Sequence, residues 1–373
     1  MAGVGERFVR VVLVPAAVFQ AVVFGGAYGT GREIVEFISV LGPRSGLLAL
    51  AVVALGFGVI ISLSFELARL ERTYDYRGFL QALIGRAWVA FEILFLISLL
   101  IALAVNGSAA GSILKDQFGI PALVGVGLLF TAVVALNYFG RRLLQESMSI
   151  CMIALVIVLV IYCGLTIVQY QDAITSAFRN DTVSGNWVTH GAQFMLYSAA
   201  VIPVLLYSAR GINTRGEAIV SGFSAGIMGA FPALVFHITF MATYPLSMDQ
   251  ELPTYWMIGQ LAKPWLMITY IIVLFAMIIQ TAAGLLQGVN ERLDAWHLET
   301  RGLPCKPTTH AMVAGATLFI SMVLASFGIT ALVAQGYGTV AWGYLVIYIV
   351  PLLTVGVYKI WLAEKVSTGS PRK

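Results

Sequence analysis

The chain has 373 residues, 59% of them hydrophobic and only 11% charged, with 22 Lys and Arg against 18 Asp and Glu. A soluble domain of that make-up would expose large apolar surface, so composition excludes one and points to an integral membrane protein. The net charge of +4 says little about partners, because the basic residues are needed to orient loops.

Cutting the chain at charged, polar and Gly/Pro punctuation gives ten apolar segments: 8–41, 45–70, 79–112, 120–139, 143–169, 188–210, 216–244, 264–290, 308–328 and 331–361. About 20 apolar residues suffice to cross a bilayer, so the longer segments tilt, break or protrude. The first lacks a small-residue cleavage site, so no signal peptide is read. An N-terminus in the cytoplasm places Arg7, Arg10, Arg69, Arg72, Arg77, Arg141, Arg142, Arg210, Arg215, Arg292, Arg301 and Lys359 inside. It leaves Arg44, Lys115, Arg179 and Lys263 outside. This alternation predicts ten helices in a cell (inner) membrane with both termini cytoplasmic. The expected fold is all-α, a single transmembrane domain over residues 1–373 built from two five-helix repeats, 8–169 and 188–361. The connections 170–187 and 245–263 are too short for separate cores but long enough for short lid helices.

The first segment is interrupted. Between Ala21 and Gly42 it reads AVVFGGAYGTGREIVEFISVLG, with Gly25, Gly26, Gly29 and Gly31 followed by Arg32 and Glu33. Glycines lower helix propensity and let backbone approach a ligand closely. Unwound chain survives at membrane depth only where it lines an enclosed or wet cavity, since an unpaired backbone group in lipid costs several kcal/mol. Glycines in membrane helices also serve close packing. The adjoining charges favour a break, because charges within a span normally face a pore or each other.

The sixth segment, WVTHGAQFMLYSAAVIPVLLYSARG, carries Pro203, which frees the carbonyl of Ala199. An ordinary proline kink is the alternative. Discontinuities in helices one and six would answer each other across a pseudo-two-fold axis, as in inverted-repeat transporters.

Glu33 occupies the first turn of the outer half-helix, where the dipole stabilises a carboxylate. It is the expected carrier of a coupling proton or the partner of a substrate ammonium. Arg32 and Glu36 are spaced to pair with each other and are read as gating residues. Glu92, near the middle of the third segment, is an intramembrane acid and so a candidate for ion coupling, the alternative being a hydrogen-bonded structural role. Glu66 is placed at a cytoplasmic gate or paired with a neighbouring Arg, with Arg86 as one candidate partner.

Two five-helix halves with interrupted first and sixth helices resemble the LeuT-fold architecture of the amino acid-polyamine-organocation superfamily. The stretch GGAYGTGREIVEF is similar to the Gly-rich, Glu-containing first-helix signature of YkvI-like membrane proteins. It differs from typical amino-acid permeases in placing Arg32 and Glu33 where those have apolar residues. The resemblance implies that substrate contacts come from the two breaks and from helices three, eight and ten. That carries binding roles to Gly25, Gly26, Ala27, Tyr28, Gly29, Thr30 and Gly31, to Tyr197, Ser198, Ala199 and Ala200, and to Gln280. It also makes Thr281 a candidate for Na+ coupling, although no second Ser or Thr adjoins it.

Other polar residues receive structural readings. His237 and His310 lack metal spacing and are expected to pack with a hydrogen bond. Cys151, Cys163 and Cys305 define neither a disulfide framework nor a metal site. Gly222 and Gly226 form a GxxxG packing face. GTG followed by Arg is not a phosphate loop. With no nucleotide motif, an ion gradient of H+ or Na+ is the expected drive, and no cofactor or metal is expected. The function read from the sequence is a secondary transporter for a small polar or zwitterionic, amino-acid-like solute; the alternative is a transporter-fold sensor without turnover. A membrane enzyme would want convergent catalytic groups, and the histidines are dispersed. The expected partners are the solute and the lipid bilayer, with no nucleic acid. Nothing in the sequence sets an oligomeric state.

Overall fold

The computed structural model describes residues 4–23, 28–139, 141–183, 185–303 and 305–369, and every regular element among them is helical. Seven of these helices are long and apolar enough to cross a membrane: Pro43–Glu71, Tyr76–Phe118, Trp187–Gly211, Arg215–Thr243, Pro264–Arg301, Thr308–Ala325 and Ile329–Lys365. An eighth results if Ile153–Gln169 and Gln171–Asn180, bent by 75° at their junction, count as one span. The fourth segment is the helix Ala122–Phe139, and the first is described in two pieces, residues 4–23 and 28–41.

Outward faces confirm the solvent. Leu55, Ile93, Ile227, Ile272 and Phe319 are all more than half exposed, whereas Val53, Phe57, Leu103 and Phe194 are fully buried. Apolar side chains on both faces are what a helix with lipid on one side and protein on the other requires. The chain is a multi-span membrane protein.

Without a hydrophobic force between helices in lipid, close approach depends on small residues. The most extensive contact joins Pro43–Glu71 to Arg215–Phe240. A Cβ added at Gly222 would lie 2.4 Å from the Ser62 amide nitrogen, and one at Gly226 2.6 Å from that of Gly58. The GxxxG pair is therefore a packing face, as its spacing predicts. The Arg215–Phe240 helix starts at a capping box: the Thr214 hydroxyl accepts from the Glu217 amide at 3.2 Å, and Glu217 accepts from the Thr214 amide at 3.2 Å. His237 on this helix is fully buried, bonded to the Ser39 hydroxyl and the Pro43 carbonyl, both at 2.9 Å. That is the packing role expected of it.

The first and sixth spans both change geometry midway. After Val23 the described chain resumes as a 3-10 turn, Tyr28–Thr30, passes Gly31 at φ 80°, and re-forms as the helix Arg32–Phe37. The sixth runs as α-helix over Trp187–Ser198 and then as 3-10 helix over Ala199–Gly211, with Pro203 inside. The tenth holds π-helical turns at Leu332–Tyr337, Leu345–Ile349 and Leu352–Gly356, widenings that often accompany functional sites. The connections 170–187 and 245–263 both carry short helices, Gln171–Asn180 and Pro253–Gln260.

Candidate functional site

Where the first, third, sixth, eighth and tenth apolar segments of the sequence meet, they line a cavity of about 190 Å³. Its wall includes Glu33 from the re-formed first helix, Tyr197 and Ser198 from the end of the sixth α-helical part, and Tyr337 from a π-helical turn of the tenth. Each geometric irregularity thus delivers a side chain to one space. A regular helix would have turned Tyr337 onward by part of a turn.

Glu33 is 7% exposed, and its Oε2 accepts a hydrogen bond from the Tyr197 hydroxyl at 2.6 Å. Tyr197 in turn stacks on Tyr337, with ring centroids 4.7 Å apart and planes within 4° of parallel. Taking a carboxylate out of water costs several kcal/mol, and one hydroxyl does not offset that. Among the described residues no Lys, Arg or His lines this cavity. The arrangement is an acid held by a tyrosine between aromatic faces, suited to a cationic group or a proton.

Of the residues predicted to bind or couple, Tyr28, Glu33, Tyr197, Ser198, Ala200 and Thr281 share this wall. Gly25, Gly26 and Ala27 lie outside the described residues. Gly29, Thr30, Gly31, Ala199 and Gln280 are buried but stand behind the wall. The Gly29 carbonyl accepts from the Tyr270 hydroxyl at 3.1 Å, and a Cβ there would point at Leu274. The Thr30 hydroxyl accepts from the Arg32 amide at 3.3 Å. Gly31 is confined on two counts: its φ suits glycine, and a Cβ would sit 2.4 Å from Phe240 Cζ and 2.6 Å from Thr254 Oγ1.

The gating residues divide. Arg32 is 6% exposed and pairs with Glu36, as spaced, while one terminal nitrogen donates to the carbonyls of Met248 at 3.2 Å and Gln250 at 3.0 Å. It therefore ties the interrupted helix to the connection between the seventh and eighth spans. Glu66 pairs not with Arg86 but with Arg69, through two contacts of 2.7 and 2.8 Å one turn along the same helix. Arg86 is exposed in the turn Gly85–Ala87. The partner is thus the neighbouring Arg that the sequence offered as the alternative to a gate.

Glu92 is a partnered acid. It does not line the cavity; it forms an ion pair with Arg292 of the eighth span at 2.8 Å. Arg292 lies 4.6 Å from the ring centre of Phe95, which itself lines the cavity.

Sequence reasoning passed over Asn106, Ser98 and Tyr337. Asn106 is 1% exposed and lines the cavity; its amide nitrogen donates to the Ala102 carbonyl at 2.8 Å, and its Oδ1 has no partner among the described residues. A carboxamide in the midst of an apolar run was the available signal, since such groups are costly in lipid. Ser98 bonds the Tyr344 hydroxyl at 2.8 Å. Tyr337 carries no such mark, because aromatic residues abound in the chain.

No protein-family model and no curated relative matches the sequence. Solved structures do match its shape. A manganese transporter of Eremococcus coleocola, in a mutant form, superimposes with a TM-score of 0.59 at 13% identity, over 95% of this chain and 80% of that one. MhsT in complex with L-phenylalanine gives 0.54 at 14% identity, over 94% and 97% of the two chains. A Na+-coupled sialic acid symporter gives 0.51 at 11%, over 93% and 86%. These neighbours are LeuT-fold transporters, and this chain has that fold.

Proposed function

We propose that the protein is a secondary active transporter that moves a small polar or zwitterionic, amino-acid-like solute by alternating access. The observation that carries this reading is the Glu33 carboxylate, buried against Tyr197 in a cavity built where the first and sixth spans lose regular geometry. In a LeuT-like frame the ten segments would form two inverted five-helix repeats with both termini in the cytoplasm. The structural neighbours are transporters, and their shared fold supports a transport role over an enzymatic one.

Glu33 takes the solute's ammonium or the coupling proton; Thr281, also in the wall, is the group to test for Na+. Arg32 holds the outer connection, and the Glu92–Arg292 pair beside Phe95 closes the inner path. The first-helix motif supports a place near YkvI-like proteins of the amino acid-polyamine-organocation superfamily.

Counterflow into proteoliposomes tests the reading. A ligand panel of amino acids, amines, organic acids and nucleobases is first screened for thermal stabilisation at two pH values, with and without Na+. Each stabilising compound is then offered as radiolabel against internal unlabelled compound. Exchange through the purified protein is expected. Tight binding without exchange would establish a sensor instead.

A further inference from the structure

The Pro264–Arg301 helix has 38 residues. At about 1.5 Å per residue it runs well beyond the roughly 30 Å hydrocarbon core, so its last turns stand in water. There the chain reverses at Gly302, in the left-handed region at φ 69°, and re-enters as the helix Pro307–Ala325. The reversal gathers three side chains of metal-binding type. Asp294 comes from the end of the first helix, Cys305 from the turn, and His310 from the opening of the second. Their ligand atoms all lie within 4.8 Å of one another.

We propose that Asp294, Cys305 and His310 form a binding site for a first-row transition-metal dication of the zinc type, which clips the turn between the eighth and ninth spans. Three observations support it. The His310 Nε2 and Asp294 Oδ1 are 2.7 Å apart, and the same carboxylate oxygen accepts from the Cys305 amide at 3.2 Å, so the three groups are already fixed to one another. The thiol of Cys305 is free, and the residue is 8% exposed, which keeps it from pairing with a thiol of another chain. The Asp294 and His310 side chains are 34% and 25% exposed, leaving an approach from water.

Ligands on a tetrahedral zinc-type ion are roughly 3.3–3.7 Å apart, given metal bonds of about 2.0–2.3 Å. The trio reaches that spacing by a short inward shift of the most distant atom and a small opening of the Asp294–His310 contact. Nitrogen, carboxylate oxygen and thiolate sulfur together suit zinc or cobalt and disfavour calcium and magnesium, which take oxygen alone. Three protein ligands leave a fourth position for water. The site lies apart from the cavity and is independent of the transport reading.

The test uses purified full-length protein, stripped with a chelator and titrated with Co2+ in detergent. Expected is one tightly bound ion with a thiolate-to-cobalt charge-transfer band and tetrahedral d–d bands, both bleached by Zn2+. Cys305→Ser should abolish the charge-transfer band, His310→Gln should weaken Co2+ binding at least tenfold, and Cys163→Ser should change neither. A native protein without the band, or a band that survives Cys305→Ser, would overturn the proposal. Should Cys305→Ser fail to fold, His310→Gln decides, and unchanged affinity there overturns it equally.

Discussion

Tyr197 donates its hydroxyl hydrogen to Glu33 across 2.6 Å and 164 residues of chain, joining the sixth span to the first at the depth where each departs from regular helix. The contact does two things at once. It partly satisfies an acid that lipid and protein would otherwise leave costly, and it fixes a tyrosine whose ring stacks on Tyr337.

Glu33→Gln tests the acid itself. The amide oxygen still accepts from Tyr197, so the variant should purify in normal yield with its melting temperature little changed. Accumulation of the solute in proteoliposomes should fall at least tenfold, because a neutral amide neither carries a proton nor pairs with an ammonium. Uptake retained with the same pH dependence would remove Glu33 from the mechanism.

Tyr197→Phe keeps the ring stacked on Tyr337 and deletes only the hydroxyl. A hydrogen bond to a charged group contributes about 1.5–3 kcal/mol, so solute affinity should change by roughly tenfold or more while the fold persists. Calorimetric titration of the purified variant measures this. An affinity equal to that of the unmodified protein would show that the Tyr197–Glu33 contact plays no part in binding.

Arg32→Lys tests the outer connection. A lysine keeps the charge but lacks the planar fork that reaches Glu36, Met248 and Gln250 together. Hydrogen exchange at the Met248 amide, bonded to Pro245 at 2.9 Å, should quicken roughly tenfold, equivalent to about 1.4 kcal/mol of local stability. Exchange confined to the unmodified rate would mean that Arg32 does not hold that segment.

Gly222→Val tests packing apart from function. Its new Cβ would meet the Ser62 backbone at 2.4 Å, and backbone has nowhere to move within two packed spans. Overpacking of this kind costs about 1–3 kcal/mol or more. Thermal unfolding of the purified variant should therefore begin several degrees lower. Gly164→Ala is the control: no atom lies within 4 Å of a Cβ there, and its melting temperature should not fall.

Much of the architecture was legible in the chain because it depends on sums along one dimension. The length and apolarity of each run require no knowledge of neighbours, and the Gly-rich stretch with Pro203 forecast where two segments would lose regular geometry. The fold of the described residues agrees with the LeuT-like architecture drawn from those features. The short-range pair Arg32–Glu36 and the GxxxG face were equally readable, since a single helix's geometry fixes both.

Partners between spans were not readable. In a soluble helix one apolar stripe announces the buried face, but in a membrane both faces are apolar, so the sequence does not say how each helix is rotated about its axis. Only packing decided that Glu33 meets Tyr197, that Glu92 meets Arg292 and leaves the cavity, and that Asn106 and Tyr337 enter it. The same holds for Asp294, Cys305 and His310, whose irregular spacing conceals their meeting until two helices reverse about Gly302. The sequence determined which solvent the chain inhabits and where its helices yield; rotation and crossing of those helices decided which side chains face one another.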